Sequence, residues 1–146
     1  MRIAVGCDPN ASSLKAAIID ELDSLGHEVT DMGSDDPVYA NVAIAVGEAL
    51  ARGDYDRGVV LCGTGIGVSI AANKVRGAYC ALVTNAYQAE RAALSNNANM
   101  IALGAQVTGE QLARTLVRIY MSHIYVPGGR SEPKIGRITE YDAKSR

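Results

Sequence analysis

Five short apolar runs alternate along this chain with longer stretches of helical spacing, and that alternation confines the fold to β/α units around a parallel sheet. The first strand is expected over Arg2 to Gly6. A helix follows over Ser12 to Leu25, where Leu14, Ala17, Ile18 and Leu22 recur at three and four, Ser12 or Ser13 can cap it and Gly26 ends it. His27 to Met32 reads as a second strand, and the turn residues Gly33-Ser34-Asp35-Asp36-Pro37 lead into a helix over Tyr39 to Arg52. Gly58 to Cys62 is a continuous apolar run of the kind buried on both faces of a parallel sheet. Gly63-Thr64-Gly65-Ile66-Gly67 and a short helix through Ala72 come next. Tyr79 to Val83 and Met100 to Leu103 complete the strands, and Tyr87 to Leu94 and Glu110 to Tyr120 the paired helices. Right-handed crossovers place helices on both faces, so the pattern predicts an α/β three-layer α/β/α sandwich with a five-stranded parallel sheet, a single domain over residues 1–146.

Beyond Pro127-Gly128-Gly129 the chain carries Arg130, Lys134 and Arg137 on a terminal helix, against which Pro133 and Gly136 count. The segment 128–146 has little core of its own and is expected to pack on a second subunit. Lysines and arginines number 14 against 16 acidic residues, a net charge of −2, so no global basic field holds nucleic acid. Phe and Trp are absent, which removes the usual stacking platforms. No apolar run approaches the ~20 residues of a membrane crossing, and Met1-Arg2-Ile3-Ala4-Val5 starts a strand instead of a signal core, so a cytoplasmic location is expected. The three cysteines are too few and scattered for a disulfide frame, and the two histidines lack zinc-finger spacing with them.

In an open parallel sheet ligands bind beyond the carboxyl ends of the strands, which singles out Cys7-Asp8, Asp31, Cys62 to Gly67, Thr84-Asn85 and Gly104 to Gln106. Glycines at 63, 65 and 67 let the backbone turn its amides toward one point at a helix start, an oxyanion or anion site, or else a turn that only packs. Cys62 stands against those amides, where a helix N-terminus lowers a thiol pKa below the ordinary ~8.5, which makes it a candidate base. Cys80, placed mid-strand, reads as a small buried hydrophobe, and Cys7 fits either role. Asp8 either binds a substrate hydroxyl or caps the helix after it. His27 and His123 fall at element edges away from the strand ends. A dinucleotide site is disfavoured, because its glycine fingerprint belongs after the first strand, where this chain has Gly6-Cys7-Asp8-Pro9-Asn10. A P-loop is disfavoured too, because no Lys-Ser or Lys-Thr pair closes the glycine loop.

Gly6-Cys7-Asp8, the Cys62-Gly-Thr-Gly-Ile-Gly loop with Ser69-Ile-Ala-Ala-Asn-Lys74 after it, Asn96-Asn97-Ala98-Asn99 and Gly128-Gly129-Arg130 together closely resemble the ribose-5-phosphate isomerase B family, which includes the galactose-6-phosphate isomerase subunits. The resemblance runs nearly end to end. It implies a Rossmann-like homodimer or dimer of dimers, a small phosphosugar as ligand, sites at the subunit interface, and neither metal nor nucleotide cofactor. By that resemblance Cys62 moves a proton between C1 and C2 through an enediolate, and Thr64 assists. The anion hole maps onto the amides around Gly67, Val68 and Ser69 with the Asn96 side chain. Gly63 and Gly65 shape the loop against the substrate, Asp8 and Tyr39 line the sugar, and Arg130 and Lys134 arrive from the neighbouring subunit to clamp the phosphate.

The departures from the family pattern bear on the substrate. Pro9 stands where the family has a phosphate-binding histidine, Ser95 where it has the histidine credited with opening the furanose ring, Gln106 for a phosphate-binding arginine and Lys134 for another. A pentose 5-phosphate closes through its 4-hydroxyl, and reopening it requires proton transfer, for which serine is a poor substitute for histidine. A tetrose 4-phosphate cannot close that way because its 4-oxygen is esterified. The expected activity is therefore an aldose–ketose isomerisation between erythrulose 4-phosphate and erythrose 4-phosphate. The competing readings are a ribose-5-phosphate isomerase B with a displaced ring opener, and a non-catalytic sugar-phosphate sensor.

Overall fold

Each expected strand forms within one residue of its expected ends in the computed structural model, which describes residues 1–144: β1 (Arg2–Cys7), β2 (Glu28–Asp31), β3 (Arg57–Cys62), β4 (Cys80–Leu82) and β5 (Met100–Gly104). They make one parallel sheet in the order β2-β1-β3-β5-β4. The helices are α1 (Ser12–Ser24), α2 (Tyr39–Ala51), α3 (Ile66–Ala72), α4 (Ala86–Leu94), α5 (Glu110–Met121) and α6 (Glu132–Lys144). The connections from β1 to β2 and from β4 to β5 run one way across the sheet, and those through α2 and α3 run the other. Right-handed crossovers therefore put α1 and α4 on one face and α2 and α3 on the opposite one. α5 fills the gap between α1 and α4.

Two apolar layers result. Ile3, Val5, Val59, Leu61, Ile101 and Leu103 meet α1, α4 and α5, while Ala4, Val60, Cys62, Met100 and Ala102 meet α2 and α3. Every residue of β3 and β5 is buried, as a continuous apolar run requires of central parallel strands. The chain direction reverses between β1 and β3, which opens a crevice at their carboxyl ends, beside Asp8 and Cys62.

Three expectations are corrected. Neither Ser12 nor Ser13 caps α1: Ala11 holds the cap position without a side-chain bond, and Asp8 instead caps the short 3-10 turn Pro9–Ala11 by accepting the Asn10 amide at 3.1 Å. Cys80 is the first residue of β4, not its middle. Pro133 and Gly136 do not prevent α6, because proline in a first turn forfeits an amide that has no helical acceptor anyway. The strand start at Gly58 also missed Arg57, whose buried guanidinium donates to the Tyr120 and His123 carbonyls at the end of α5 and lies 4.4 Å above the Tyr120 ring. Residues 145 and 146, the end of the segment expected to meet a partner, lie outside the described residues. Among the described residues no helix is long and apolar enough to cross a membrane.

Candidate active site

β3 delivers Cys62 to the sheet's carboxyl edge, where the thiol is 4% exposed and accepts the Gly65 amide at 3.2 Å. That contact needs a sharp turn, and Gly65 makes it with φ +78°. A Cβ at Gly65 would stand 2.9 Å from the Leu103 carbonyl carbon and 2.7 Å from Leu82, so only glycine fits this position. Gly104, paired with Cys62 across the sheet, makes the same allowance from the other side, since a Cβ there would meet the Thr64 backbone at 2.5 Å. The loop is thus wedged against β5. Its neighbours Ala105 and Gln106 donate their amides to the Cys62 and Gly63 carbonyls, both at 2.9 Å.

Around this loop the structure gathers most of the expected residues of the carboxyl edge. The Gln106 side chain lies over Gly63, its Cδ 3.5 Å from where a Cβ would be. The Tyr39 ring, at the start of α2, covers Gly67 so closely that a Cβ there would fall 2.3 to 2.6 Å from it. The Thr64 hydroxyl is exposed and accepts the Ile66 amide at 3.3 Å. Asp8 is buried on the neighbouring strand end, its amide donated to the Leu61 carbonyl.

The expected anion hole needs one correction. The Ser69 amide donates to the Gly65 carbonyl at 3.2 Å as the first bond of α3, which leaves Gly67 and Val68 as the first-turn amides available to an oxyanion. Burial pushes Cys80 up to about 12, against the pull of the Ser69 hydroxyl, and pushes Cys7 up to about 11, against the pull of Lys15. Cys7 and Cys80 are therefore protonated packing groups near neutrality. Neither receives a loop amide as Cys62 does.

The second group of expected residues is elsewhere. Asn96 follows α4 and precedes β5, at the amino edge of the sheet, while Cys62 ends β3 at the carboxyl edge. The length of a strand, on the order of 15 Å, separates them, so the Asn96 side chain does not meet Cys62 of its own chain. Asn96 instead shares a cleft of about 320 Å³ with Ser95, Arg130, Ser131 and Lys134, roofed by Ile135 and Ile138 of α6. The ion pairs of α6 join Arg137 and Lys144 to Glu140, and leave Arg130 and Lys134 without a carboxylate among the described residues.

The asparagine run divides its tasks. Asn97 adopts φ +48° and ends α4, with its amide on the Ala93 carbonyl and that of Ala98 on the Ala92 carbonyl, a Schellman-type close. Asn99 brackets the entry to β4, accepting the Tyr79 amide and donating to the Gly77 carbonyl, both at 2.8 Å. Asn96 is the one left facing the cleft. Nothing in the spacing distinguishes these roles, because they depend on where α4 ends and on the backbone that the entry to β4 presents.

Both histidines are held away from the two groups: His27 meets the N-terminal amine at 3.1 Å, and the His123 ring lies 2.7 Å from the Ile119 carbonyl. Among the described residues no three His, Cys, Asp or Glu side chains converge as a metal ion would need.

A family model described as ribose/galactose isomerase matches residues 3–138. A ribose-5-P isomerase B of Listeria innocua is 40% identical over 149 residues, covering the whole of both chains. A D-erythrulose-4-phosphate isomerase of Pectobacterium atrosepticum is 41% identical over 150 residues, covering all of this chain and 98% of that one. A solved ribose-5-phosphate isomerase B of Clostridium thermocellum superposes with a TM-score of 0.94 at 40% identity over the full length of both chains.

Proposed function

This chain belongs to the ribose/galactose isomerase family and is an aldose–ketose isomerase of sugar phosphates, and from that premise we propose that its substrate is a four-carbon phosphosugar, erythrulose 4-phosphate interconverting with erythrose 4-phosphate. Identity does not choose the substrate, since relatives named for a pentose and for a tetrose phosphate stand at 40% and 41%. The observation that carries the proposal is Ser95 in the Arg130–Lys134 cleft, in a chain whose two histidines are both held elsewhere. A substrate that must be opened from a furanose needs an acid-base group titrating near neutrality, and neither half of the site has a histidine to supply it.

In the proposed reaction the Cys62 thiolate removes the proton from the carbon beside the carbonyl. The electron pair moves onto the carbonyl oxygen as the enediolate forms, and the proton returns to the adjacent carbon. Thr64 assists the accompanying transfer between the two oxygens, and the Gly67 and Val68 amides receive the developing negative charge. Asp8 and Tyr39 hold the sugar chain. Because Asn96, Arg130 and Lys134 occupy the opposite edge of the sheet, they serve a partner's Cys62, which makes the functional unit at least a homodimer with the site between protomers. An exposed apolar strip beside the loop supports that pairing, with Ile66 52%, Ile70 57% and Leu82 36% exposed.

The competing reading, a ribose-5-phosphate isomerase B with a displaced ring opener, is separated by one assay of the wild-type protein on tetrose, pentose and hexose phosphates. The proposal expects kcat/KM for erythrulose 4-phosphate to exceed that for ribose 5-phosphate by at least about 10²-fold, the usual worth of a general acid-base group. Equal or better use of ribose 5-phosphate overturns it.

A further inference from the structure

α6 has no buried residue, yet it carries Lys134 and forms one wall of the cation cleft. Apolar packing within the chain therefore contributes little to holding it. Its two ends are treated differently. At the near end it hangs from Gly128, in the left-handed region at φ +93°, and from Gly129, neither of which packs a side chain. At the far end the Asp142 carboxylate accepts the Gly77 amide at 2.8 Å and the Tyr79 hydroxyl at 3.1 Å, both on the same oxygen Oδ2, and Arg76 donates to the Ala143 carbonyl at 2.6 Å. Gly77 and Tyr79 enter β4 and are themselves bracketed by Asn99, whose own loop carries Asn96. One polar chain thus ties the far end of α6 to the strand entry beside the anion-hole asparagine.

We propose that Asp142, through Tyr79 and Gly77, is the positioning residue that holds α6 in register and so sets Arg130 and Lys134 against the substrate's phosphate. The inference rests on the reading of those cations as a phosphate clamp. It assigns Asp142 no contact with substrate; the carboxylate lies about two helical turns from Lys134.

The geometry dictates the test. Both donors meet one oxygen, Oδ2, so Asp142→Asn retains an acceptor for them and Asp142→Ala removes it. In the folded dimer Asp142→Ala is expected to raise KM for erythrulose 4-phosphate about tenfold with kcat within about twofold, the scale of losing a charge-assisted hydrogen bond. Competitive inhibition by inorganic phosphate weakens in parallel. Asp142→Asn, which keeps the acceptor oxygen and loses its charge, recovers part of the loss in both values, and Tyr79→Phe, which spares the Gly77 bond, gives a smaller rise than Asp142→Ala. Alkylation of Cys62 proceeds at the wild-type rate throughout, which a general loosening of the fold would not allow. An unchanged KM in folded Asp142→Ala, or a loss confined to kcat, overturns the proposal. If Asp142→Ala does not fold, Tyr79→Phe decides, and a wild-type KM there overturns it equally. Arg130→Ala separates the two layers of argument. If it leaves phosphate inhibition intact, the clamp reading itself fails; if it weakens inhibition while loss of the clasp does not, only the positioning role fails.

Discussion

The two halves of the proposed site are built in opposite ways. The Cys62 loop is embedded: backbone crowds Gly65 and its β5 neighbour Gly104 to within 3 Å of a missing Cβ, the Tyr39 ring covers Gly67, and the thiol closes a buried strand. The arm from Arg130 to Lys144 lies on the surface, held by polar contacts at its far end. Groups that handle protons need placement within a fraction of an ångström, which a close-packed interior supplies. A phosphate clamp tolerates more freedom, and long cationic side chains on an exposed helix can be exchanged without disturbing the core. The contrast accounts for substitution at Ser95 and Lys134, which line the surface cleft, while the loop is intact: groups there, but not in the loop, can change at little cost to folding.

If the embedded half does the chemistry, Cys62→Ser is the largest lesion, lowering kcat by about 10²–10⁴-fold without altering the fold, because the serine hydroxyl is too weak an acid to furnish the base. Thiol mapping at pH 8 sharpens the point. Cys7, raised to about 11, and Cys80, raised to about 12, remain protonated there, so a thiolate-selective reagent modifies Cys62 first and substrate protects it. Modification of Cys7 or Cys80 ahead of Cys62 would contradict the assignment. Gly104→Ala probes the wedge: its Cβ would meet Thr64 backbone at 2.5 Å, and backbone cannot swing aside, so thermal or urea unfolding should register a loss of about 1–3 kcal/mol. An equally stable variant would show the loop to be softer than the contrast holds.

Ser95 and the surface arm should yield smaller, substrate-dependent effects. Ser95→His is expected to raise kcat/KM for ribose 5-phosphate about tenfold while leaving erythrulose 4-phosphate nearly unchanged, since only the pentose must open a ring. A parallel gain on both substrates would mean that the histidine does something other than open rings. Lys134→Arg, which supplies a planar fork for phosphate oxygens, should lower KM by only about two- to threefold, since the arm is already cationic. Both are read from initial rates.

Much of the fold was legible in the sequence because apolar period and strand burial are local signals: Val59, Val60 and Leu61 announce a central strand without knowledge of its neighbours. The loop was legible for the same reason, since three alternate glycines after a buried strand have few structural meanings. What escaped was set by partners distant in sequence. Arg57 reads as a loop cation until the end of α5 is laid over it. The Asn99 task depends on the entry to β4 lying beside it, and the clasp of Asp142 on Tyr79 depends on α6 folding back onto that entry. The separation of Asn96 from Cys62 escaped too, because a motif places residues along the chain and says nothing of which edge of the sheet each one reaches.

That separation makes shared sites the central claim, and subunit complementation tests it directly. Cys62→Ser lacks the base and Asn96→Ala lacks an anion-hole donor, a loss worth about 10²–10³-fold, so each parent is nearly inactive. In a re-equilibrated equal mixture half of the dimers are hybrids, each with one site carrying both lesions and one carrying neither, so activity should return to roughly a quarter of wild type. If the mixture, with hybrid dimers verified by mass, stays at the average of its inactive parents, each protomer carries its own complete site and the account is wrong.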